Sequence, residues 1–186
     1  MSIETLNRRL PLILLLLSVG LNVGLSRKIV ALQEPAPKAL QPGVKVPALD
    51  VRTLSGQPVR ITYEGRLPTL LYYFSPTCSW CERNWDNVRA LQDASGGRYR
   101  LIGLSPTAKG VEKIMSDHGA AFEVYTGVSP DAARVYQFTG TPATVLVSTI
   151  GTVLRAWPGA YGPASAPAME KYFGIKLPGL TPLGQN

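Results

Sequence analysis

The chain has 186 residues, of which 45% are hydrophobic, so it can form one globular domain with its own core and still carry additional segments. Its two cysteines cannot make a multi-bridge disulfide scaffold, and with a single histidine they leave a closed zinc site without a fourth ligand. The formal net charge is +7, but the basic residues form no run, which argues against a nucleic-acid partner.

An uncharged apolar segment occupies residues 10–26 and follows Arg8 and Arg9. Its length is at the lower end of the roughly 17–25 residues that a membrane-spanning helix needs. It is apolar on every face, which argues against a helix in the core of a soluble domain. We predict a transmembrane signal anchor, with residues 1–9 in the cytoplasm and the rest of the chain across the membrane. A cleaved signal peptide, which would leave a secreted form, is the alternative.

The segment after the anchor is rich in proline, and residues 27–45 are predicted to be a semi-extended tether. A folded domain is predicted over residues 46–176, and an irregular tail over 177–186. Hydrophobic periodicity and turn residues predict the elements of the domain in chain order. These are a β-hairpin over 48–61, a strand over 70–74, a helix over 80–94, a strand over 100–104, a helix over 109–118, a strand over 122–125, a helix over 131–136, a second hairpin over 144–157 and a helix that includes 168–173. Strands that alternate with helices predict an α/β fold, to which the second hairpin adds antiparallel strands.

The two cysteines, Cys78 and Cys81, form a single C-x-x-C unit between a predicted strand and a predicted helix. Residues three apart are neighbours on a helix, so the two sulfurs can form a disulfide. Free backbone N–H groups at the helix start favour a thiolate at Cys78, which is therefore the expected attacking sulfur, with Cys81 as the resolving one. A purely structural bridge would close too short a loop to stabilise the fold much. Binding of a soft metal such as Cu(I) by the two sulfurs is a further alternative.

Four neighbouring residues are predicted to shape the motif. Pro76 and Thr77 position the loop before it, and Thr77 is also a candidate helix cap. Ser79 and Trp80 lie between the cysteines, where Trp80 either contributes to the substrate surface or covers a sheet edge. His118, close to a predicted helix end, is expected to be structural rather than catalytic, and no metal ligands are predicted.

The chain resembles the membrane-tethered thioredoxin-like proteins of bacterial envelopes, the TlpA/ResA group. The resemblance covers about Val46 to Trp157. It rests on the hairpin with residues 54–59, the strand-to-motif run 73–81, and the run 138–147. In the thioredoxin fold a cis-proline lies beside the C-x-x-C, and Pro142 matches that position. The resemblance implies that the backbone at Thr141 pairs with an extended segment of the substrate.

The resemblance also implies an architecture and an activity. The expected fold is thioredoxin-like, with a central mixed sheet flanked by helices, an N-terminal β-hairpin extension and an N-terminal transmembrane helix. The expected protein is a single-pass thiol–disulfide oxidoreductase of the bacterial inner (cytoplasmic) membrane whose domain faces the periplasm or the cell exterior. Its only redox group is the Cys78–Cys81 disulfide, and it needs no other cofactor.

The partners implied are client proteins with cysteines or disulfides and a membrane thiol electron donor or acceptor. Candidate clients are apocytochrome c, a copper-centre assembly protein, or an enzyme of the methylamine-dehydrogenase type. Reduction of the client is the expected direction, and a disulfide-forming oxidant is the alternative. Three departures from the family leave the redox potential and the proton-handling group unassigned: the dipeptide Ser79–Trp80, Tyr72 where thioredoxin has a buried Asp, and Asn84 where ResA-type relatives have a Glu.

Overall fold

The computed structural model describes residues 14–26, 28 and 40–182, which belong to two compact units with a division after Ala36. In the first unit, residues 14–26 form a helix, α1, whose leucines and valines are exposed. The predicted anchor over residues 10–26 therefore lies partly outside the described residues. Within the described part of the chain, no helix is both long and apolar enough to cross a membrane.

The second unit is built on one seven-stranded mixed sheet with the strand order β2-β1-β5-β4-β3-β6-β7. Parallel pairs join β3 to β4 and β4 to β5, whereas the other neighbours are antiparallel. The strands are β1 (Leu49–Arg52), β2 (Pro58–Ile61), β3 (Thr69–Tyr73), β4 (Arg100–Ser105), β5 (Glu123–Thr126), β6 (Ala143–Val147) and β7 (Val153–Pro158). This is the mixed sheet with an added N-terminal hairpin that the sequence predicts.

Helices accompany the sheet, and both faces of β3 are buried. The helices are α2 (Ser79–Glu82), α3 (Trp85–Asp93), α4 (Val111–Asp117), α5 (Pro130–Val135) and α6 (Ala166–Phe173). Along β3, Leu70 and Tyr72 belong to one hydrophobic cluster and Leu71 to a second one. A strand buried on both faces needs an almost continuous apolar sequence, which explains the run of five hydrophobic residues at 70–74.

Two local features differ from the expectations. The single helix predicted over 80–94 is two helices, separated at Arg83 and Asn84. The amide of Asn84 still donates to Cys81 O at 3.0 Å, in a tighter turn that redirects the chain before α3 begins. Residues 40–45, assigned to the tether, contact the domain: Leu40 is buried and the Gly43 amide donates to Val153 O at 2.8 Å.

Candidate active site

Cys78 occupies the N-cap position of α2. Its backbone is extended, with φ of −89° and ψ of 113°, and its sulfur accepts a hydrogen bond from the Cys81 amide at 3.2 Å. The Cys78 amide in turn donates to Ser75 O at 3.1 Å, which closes the turn after β3. A cysteine sulfur here does what serine or aspartate oxygens usually do at an N-cap: it satisfies an amide that has no partner within the helix. The cap is therefore Cys78 and not Thr77, which corrects the candidate cap above.

The second predicted piece of the site, Thr141–Pro142, lies next to this sulfur. The Cys78 thiol donates to Thr141 O across 3.2 Å, and the Thr141–Pro142 peptide bond is cis, as the resemblance implied. Strand pairing explains the proximity, since Tyr73 at the end of β3 is opposite Ala143 at the start of β6. The turn after β3 and the turn before β6 therefore meet at one edge of the sheet.

The two thiols differ sharply in exposure and in acidity. Cys78 is partly buried, whereas Cys81 has no exposed surface. Desolvation raises the pKa of Cys78, but hydrogen bonds from the side chains of Cys81 and Thr141 and from the backbone at Cys81 and Trp80 outweigh it, so the pKa is lowered overall. Burial, assisted by Cys78, raises the pKa of Cys81 to about 12. Because the thiolate is the nucleophile, this asymmetry favours Cys78 as the attacking sulfur.

A buried network of neutral polar groups lies in the same cluster as Cys81. Asn84 Oδ1 accepts hydrogen bonds from the Tyr161 amide and from Asn87 Nδ2, both at 3.0 Å, while Asn84 Nδ2 is 3.4 Å from the Tyr72 hydroxyl. The Tyr161 hydroxyl lies 2.6 Å from Thr144 Oγ1. Burial raises the pKa of Tyr72 well above its usual range, so this phenol stays protonated. Tyr72 and Asn84, the two departures from the pattern of the family that the chain resembles, thus carry a neutral phenol and a neutral amide.

Sequence reasoning did not find Tyr161 as part of this network. Its contact with Asn84 joins residues 77 positions apart, and nothing in the local pattern marks it. Asn84 was found only as a departure from the family. Its side chain organises three separate parts of the chain, namely β3, α3 and the loop after β7.

His118 forms a small cluster behind the motif with Glu82 and Trp85. Its Nε2 lies 2.9 Å from Glu82 Oε1, and its ring stacks on Trp85 with centroids 5.2 Å apart. The side chain of His118 is 16% exposed. Within the described part of the chain, the buried Trp85 Nε1 has no hydrogen-bond partner. His118 therefore has its hydrogen bond and packing contacts inside the fold, as expected of a structural histidine.

The remaining predicted site residues surround Cys78. Pro76 is partly buried, whereas Thr77 and Ser79 are exposed. The Thr77 hydroxyl lies 3.1 Å from Ser75 Oγ, which links the two ends of the loop. Trp80 is 53% exposed. Trp80 is thus largely open to solvent, and its role in a substrate surface or as cover for a sheet edge stays a prediction.

A shallow groove of about 180 Å³ adjoins Pro142. Its lining carries no charged side chain and consists of Gln137, Thr139, Gly140, Thr141, Pro142, Ala143, Pro158 and Gly159. The sequence predicts Thr141 and Pro142 as docking residues but not Pro158 or Gln137. Pro158 lies opposite Ala143 in the β6–β7 hairpin, and Gln137 follows the end of α5. Residues 14–26, 28 and 40–182 contain no group of three or more His, Cys, Asp or Glu side chains that could hold a metal ion.

Comparison with solved structures shows the thioredoxin fold. The chain is similar to the thioredoxin domain of a thiol-disulfide oxidoreductase from Bacteroides vulgatus, with 18% identity, a TM-score of 0.57, and coverage of 73% of this chain and 99% of that one. It is also similar to StoA from Bacillus subtilis (17% identity, TM-score 0.53, 70% and 98% coverage). A peroxiredoxin-like protein from Aquifex aeolicus has the same fold (13% identity, TM-score 0.53, 64% and 77% coverage). No protein-family model matches the chain, and no curated protein sequence does.

Proposed function

We propose that the protein is a thiol–disulfide oxidoreductase that acts through Cys78 and Cys81. The similar solved structures include thiol-disulfide oxidoreductases, but the fold is shared with other chemistries, so the proposal depends on the site. The observation that carries it is the placement of the Cys78 sulfur. It is the more exposed member of the pair, it lies between the Cys81 amide and the Thr141 carbonyl, and its pKa is lowered while that of Cys81 is raised.

The reductive cycle uses two exchange steps. The Cys78 thiolate attacks one sulfur of a client disulfide, which breaks the client S–S bond, forms a mixed disulfide, and releases the other client sulfur as a thiolate. Cys81 then loses its proton and attacks Cys78. The Cys78–Cys81 disulfide forms, the second client sulfur leaves, and protons taken up by the two leaving thiolates complete the client dithiol. The client is reduced by two electrons and the enzyme pair is oxidised, so the pair is the redox group and no other is required.

Thr141 and the groove beside Pro142 suit the client backbone. An extended client segment can add along Thr141, whose carbonyl already accepts the Cys78 thiol. The groove lining is uncharged, so it can accommodate the backbone and small side chains of a client and does not require the client to carry a charge there. In this arrangement the client sulfur lies next to Cys78. Cys81 is buried and acts only in the second step, after the mixed disulfide has formed.

We assign the reductive direction, with a membrane thiol donor that returns the pair to the dithiol. Apocytochrome c or a copper-centre assembly protein fits as a client, because cysteines must be reduced before haem or a metal is attached to them. The oxidant is the second candidate. One observation favours it: the hydrogen bonds at Cys78 stabilise the reduced form, and such stabilisation makes a pair more oxidising.

Two assays test the exchange chemistry and its direction. Reduction of insulin disulfides should occur with the wild-type protein and disappear in Cys78→Ser; retained reduction in that variant would mean that the nucleophile is misassigned. A redox titration of the pair against glutathione buffers then separates the directions. A potential well below that of glutathione supports the reductase, and one well above it supports the oxidant.

We further propose that residues 10–26 anchor the protein in a bacterial inner membrane and that the domain faces the periplasm or cell exterior. The support is the uncharged sequence and the exposed apolar side chains of α1, such as Leu14, Leu17 and Leu21. Disulfides also persist outside the cytoplasm, whereas cytoplasmic thiols are kept reduced. Carbonate extraction should leave the protein in the membrane pellet, and protease added to spheroplasts should remove the domain. Release into the supernatant would indicate a cleaved signal peptide.

A further inference from the structure

The C-terminal segment of residues 177–182, called the C-terminal strap below, is tied to the active-site helices. The Thr181 amide donates to Arg83 O at 2.9 Å, and Arg83 Nε donates back to Thr181 O at 2.9 Å. The Gly179 amide donates to Asn87 Oδ1 at 2.8 Å, and Thr181 Oγ1 donates to Asp86 Oδ2 at 3.0 Å. The segment has no regular secondary structure, as the sequence predicted, but these bonds hold it in one position.

The strap fixes Arg83 against the tryptophan between the two cysteines. The guanidinium carbon of Arg83 lies 4.7 Å from the centroid of the Trp80 ring, within the range of a cation–π contact. Arg83 follows Trp80 by three residues, so the two side chains are adjacent on one side of the helical turn that carries the motif. With its Nε bonded to the strap and its guanidinium carbon over the Trp80 ring, the Arg83 side chain is preorganised at the end of α2.

The charge of Arg83 is not neutralised within the described part of the chain. Its Nε donates to Thr181 O, and its two terminal nitrogens make no hydrogen bond or ion pair with the described residues. Glu82 contacts His118, and Asp86, whose carboxylate accepts from the Thr181 hydroxyl, makes no ion pair with Arg83 among the described residues. Two parallel N–H donors of a guanidinium match the two oxygens of a carboxylate.

We propose that Arg83 is a specificity-determining residue that binds a carboxylate side chain beside the reactive cysteine of a client. The inference rests on the proposed function, since the client must present a disulfide to Cys78. Cys78 and Arg83 are the N-cap and C-cap of α2, five residues apart, which corresponds to about 7–8 Å along the helix. Two residues of an extended client, at about 3.3 Å each, cover a comparable distance, so the acidic residue is expected one or two positions from the client cysteine. The fitted partner is a protein with an acidic residue next to its disulfide.

The expected selectivity is modest because the site is open to water. Exposed ion pairs change equilibrium constants by factors of about two to five, so a similar preference in kcat/KM is expected for an acidic over a neutral client. The preference should fall at 1 M salt, where the screening length is about 3 Å. The preference should appear as a lower KM for the acidic client, with little change in kcat. The reason is that the preorganised Arg83 binds the client carboxylate before any bond is broken.

Matched peptide disulfides test the inference. Each test substrate is a peptide dimer joined by one disulfide, and the substrates are compared in pairs. The two members of a pair differ only in glutamate or glutamine at one position, which lies one or two residues before or after the cysteine. The full-length wild-type protein should reduce the glutamate peptide with a kcat/KM about two- to fivefold higher in at least one pair. In Arg83→Gln the ratio should fall to about one. Arg89→Gln, which removes the same charge from an exposed arginine on α3, should keep the wild-type ratio.

The outcomes separate the two proposals. If the wild-type protein reduces no peptide, the proposed function fails. If it reduces glutamate and glutamine peptides equally, or if Arg83→Gln keeps the preference, only the role of Arg83 is overturned. An equal loss in Arg89→Gln would assign the effect to overall charge and would also overturn it. Should Arg83→Gln fold poorly, the salt dependence of the wild-type ratio decides: an unchanged ratio between 50 mM and 1 M salt contradicts the ion pair.

Discussion

Asn84→Ala should destabilise the domain much more than an ordinary surface substitution. Asn84 is fully buried, and its Oδ1 accepts two hydrogen bonds, from the Tyr161 amide and from Asn87 Nδ2. The variant leaves both donors without that acceptor in the interior, and each unsatisfied buried donor costs about 1–3 kcal/mol. The 3.4 Å contact with the Tyr72 hydroxyl is long and adds little. The expected loss is therefore about 2–6 kcal/mol in the free energy of unfolding.

Urea unfolding of the reduced protein measures this loss directly. The transition midpoint should fall while the slope of free energy against urea concentration stays the same, because the same surface is exposed on unfolding. Gln57→Ala is the matched control, since it removes an amide from an exposed turn and should change the stability by less than about 0.5 kcal/mol. A loss for Asn84→Ala below about 1 kcal/mol, or one equal to the control, would refute the assignment of Asn84 as the centre of a buried network.

Three further predictions concern the thiols, the network and the sheet. Because the pKa of Cys78 is lowered and that of Cys81 is raised to about 12, iodoacetamide should modify Cys78 with a pH midpoint below that of an ordinary cysteine and leave Cys81 unmodified until far more alkaline pH. Mass spectrometry identifies the modified site, and earlier modification of Cys81 would contradict the assignment. Tyr161→Phe removes the buried hydroxyl that bonds Thr144 and should cost about 1–2 kcal/mol in urea unfolding, so a neutral effect would argue against that bond. Gly103→Ala would place a methyl group 2.9 Å from the side chains of Phe122 and Val124 and should cost about 1–3 kcal/mol, whereas Gly96→Ala, with open space around it, should not.

Much of the fold follows from patterns that are local in sequence. Alternating and continuous apolar runs predict the strands, because a strand buried on one face alternates apolar and polar residues and a strand buried on both faces is apolar throughout. The cysteine pair and the Thr141–Pro142 sequence indicate two parts of the site, and strand pairing between β3 and β6 brings them together. The sequence also predicts which sulfur is the more exposed, since position relative to a helix start determines access to solvent.

Other features of the site depend on contacts between distant parts of the chain. The break at Arg83 and Asn84 has no glycine or proline to mark it, and it is stabilised by the strap and by Tyr161. Likewise, the apolar period of α3 predicts a buried face but not that Asn87 on that face binds the strap. Such polar contacts are determined by tertiary packing, so neither secondary-structure propensity nor residue spacing in the sequence predicts them.

Trapping of a mixed disulfide tests the central claim most directly. In Cys81→Ser the resolving sulfur is removed, so the protein incubated with a disulfide peptide should stop after one exchange and retain one peptide bonded to Cys78, as identified by mass spectrometry of a non-reduced digest. Cys78→Ser should form no such adduct under the same conditions. Failure of Cys81→Ser to hold the peptide at Cys78, or an adduct of equal yield in Cys78→Ser, would contradict exchange through Cys78.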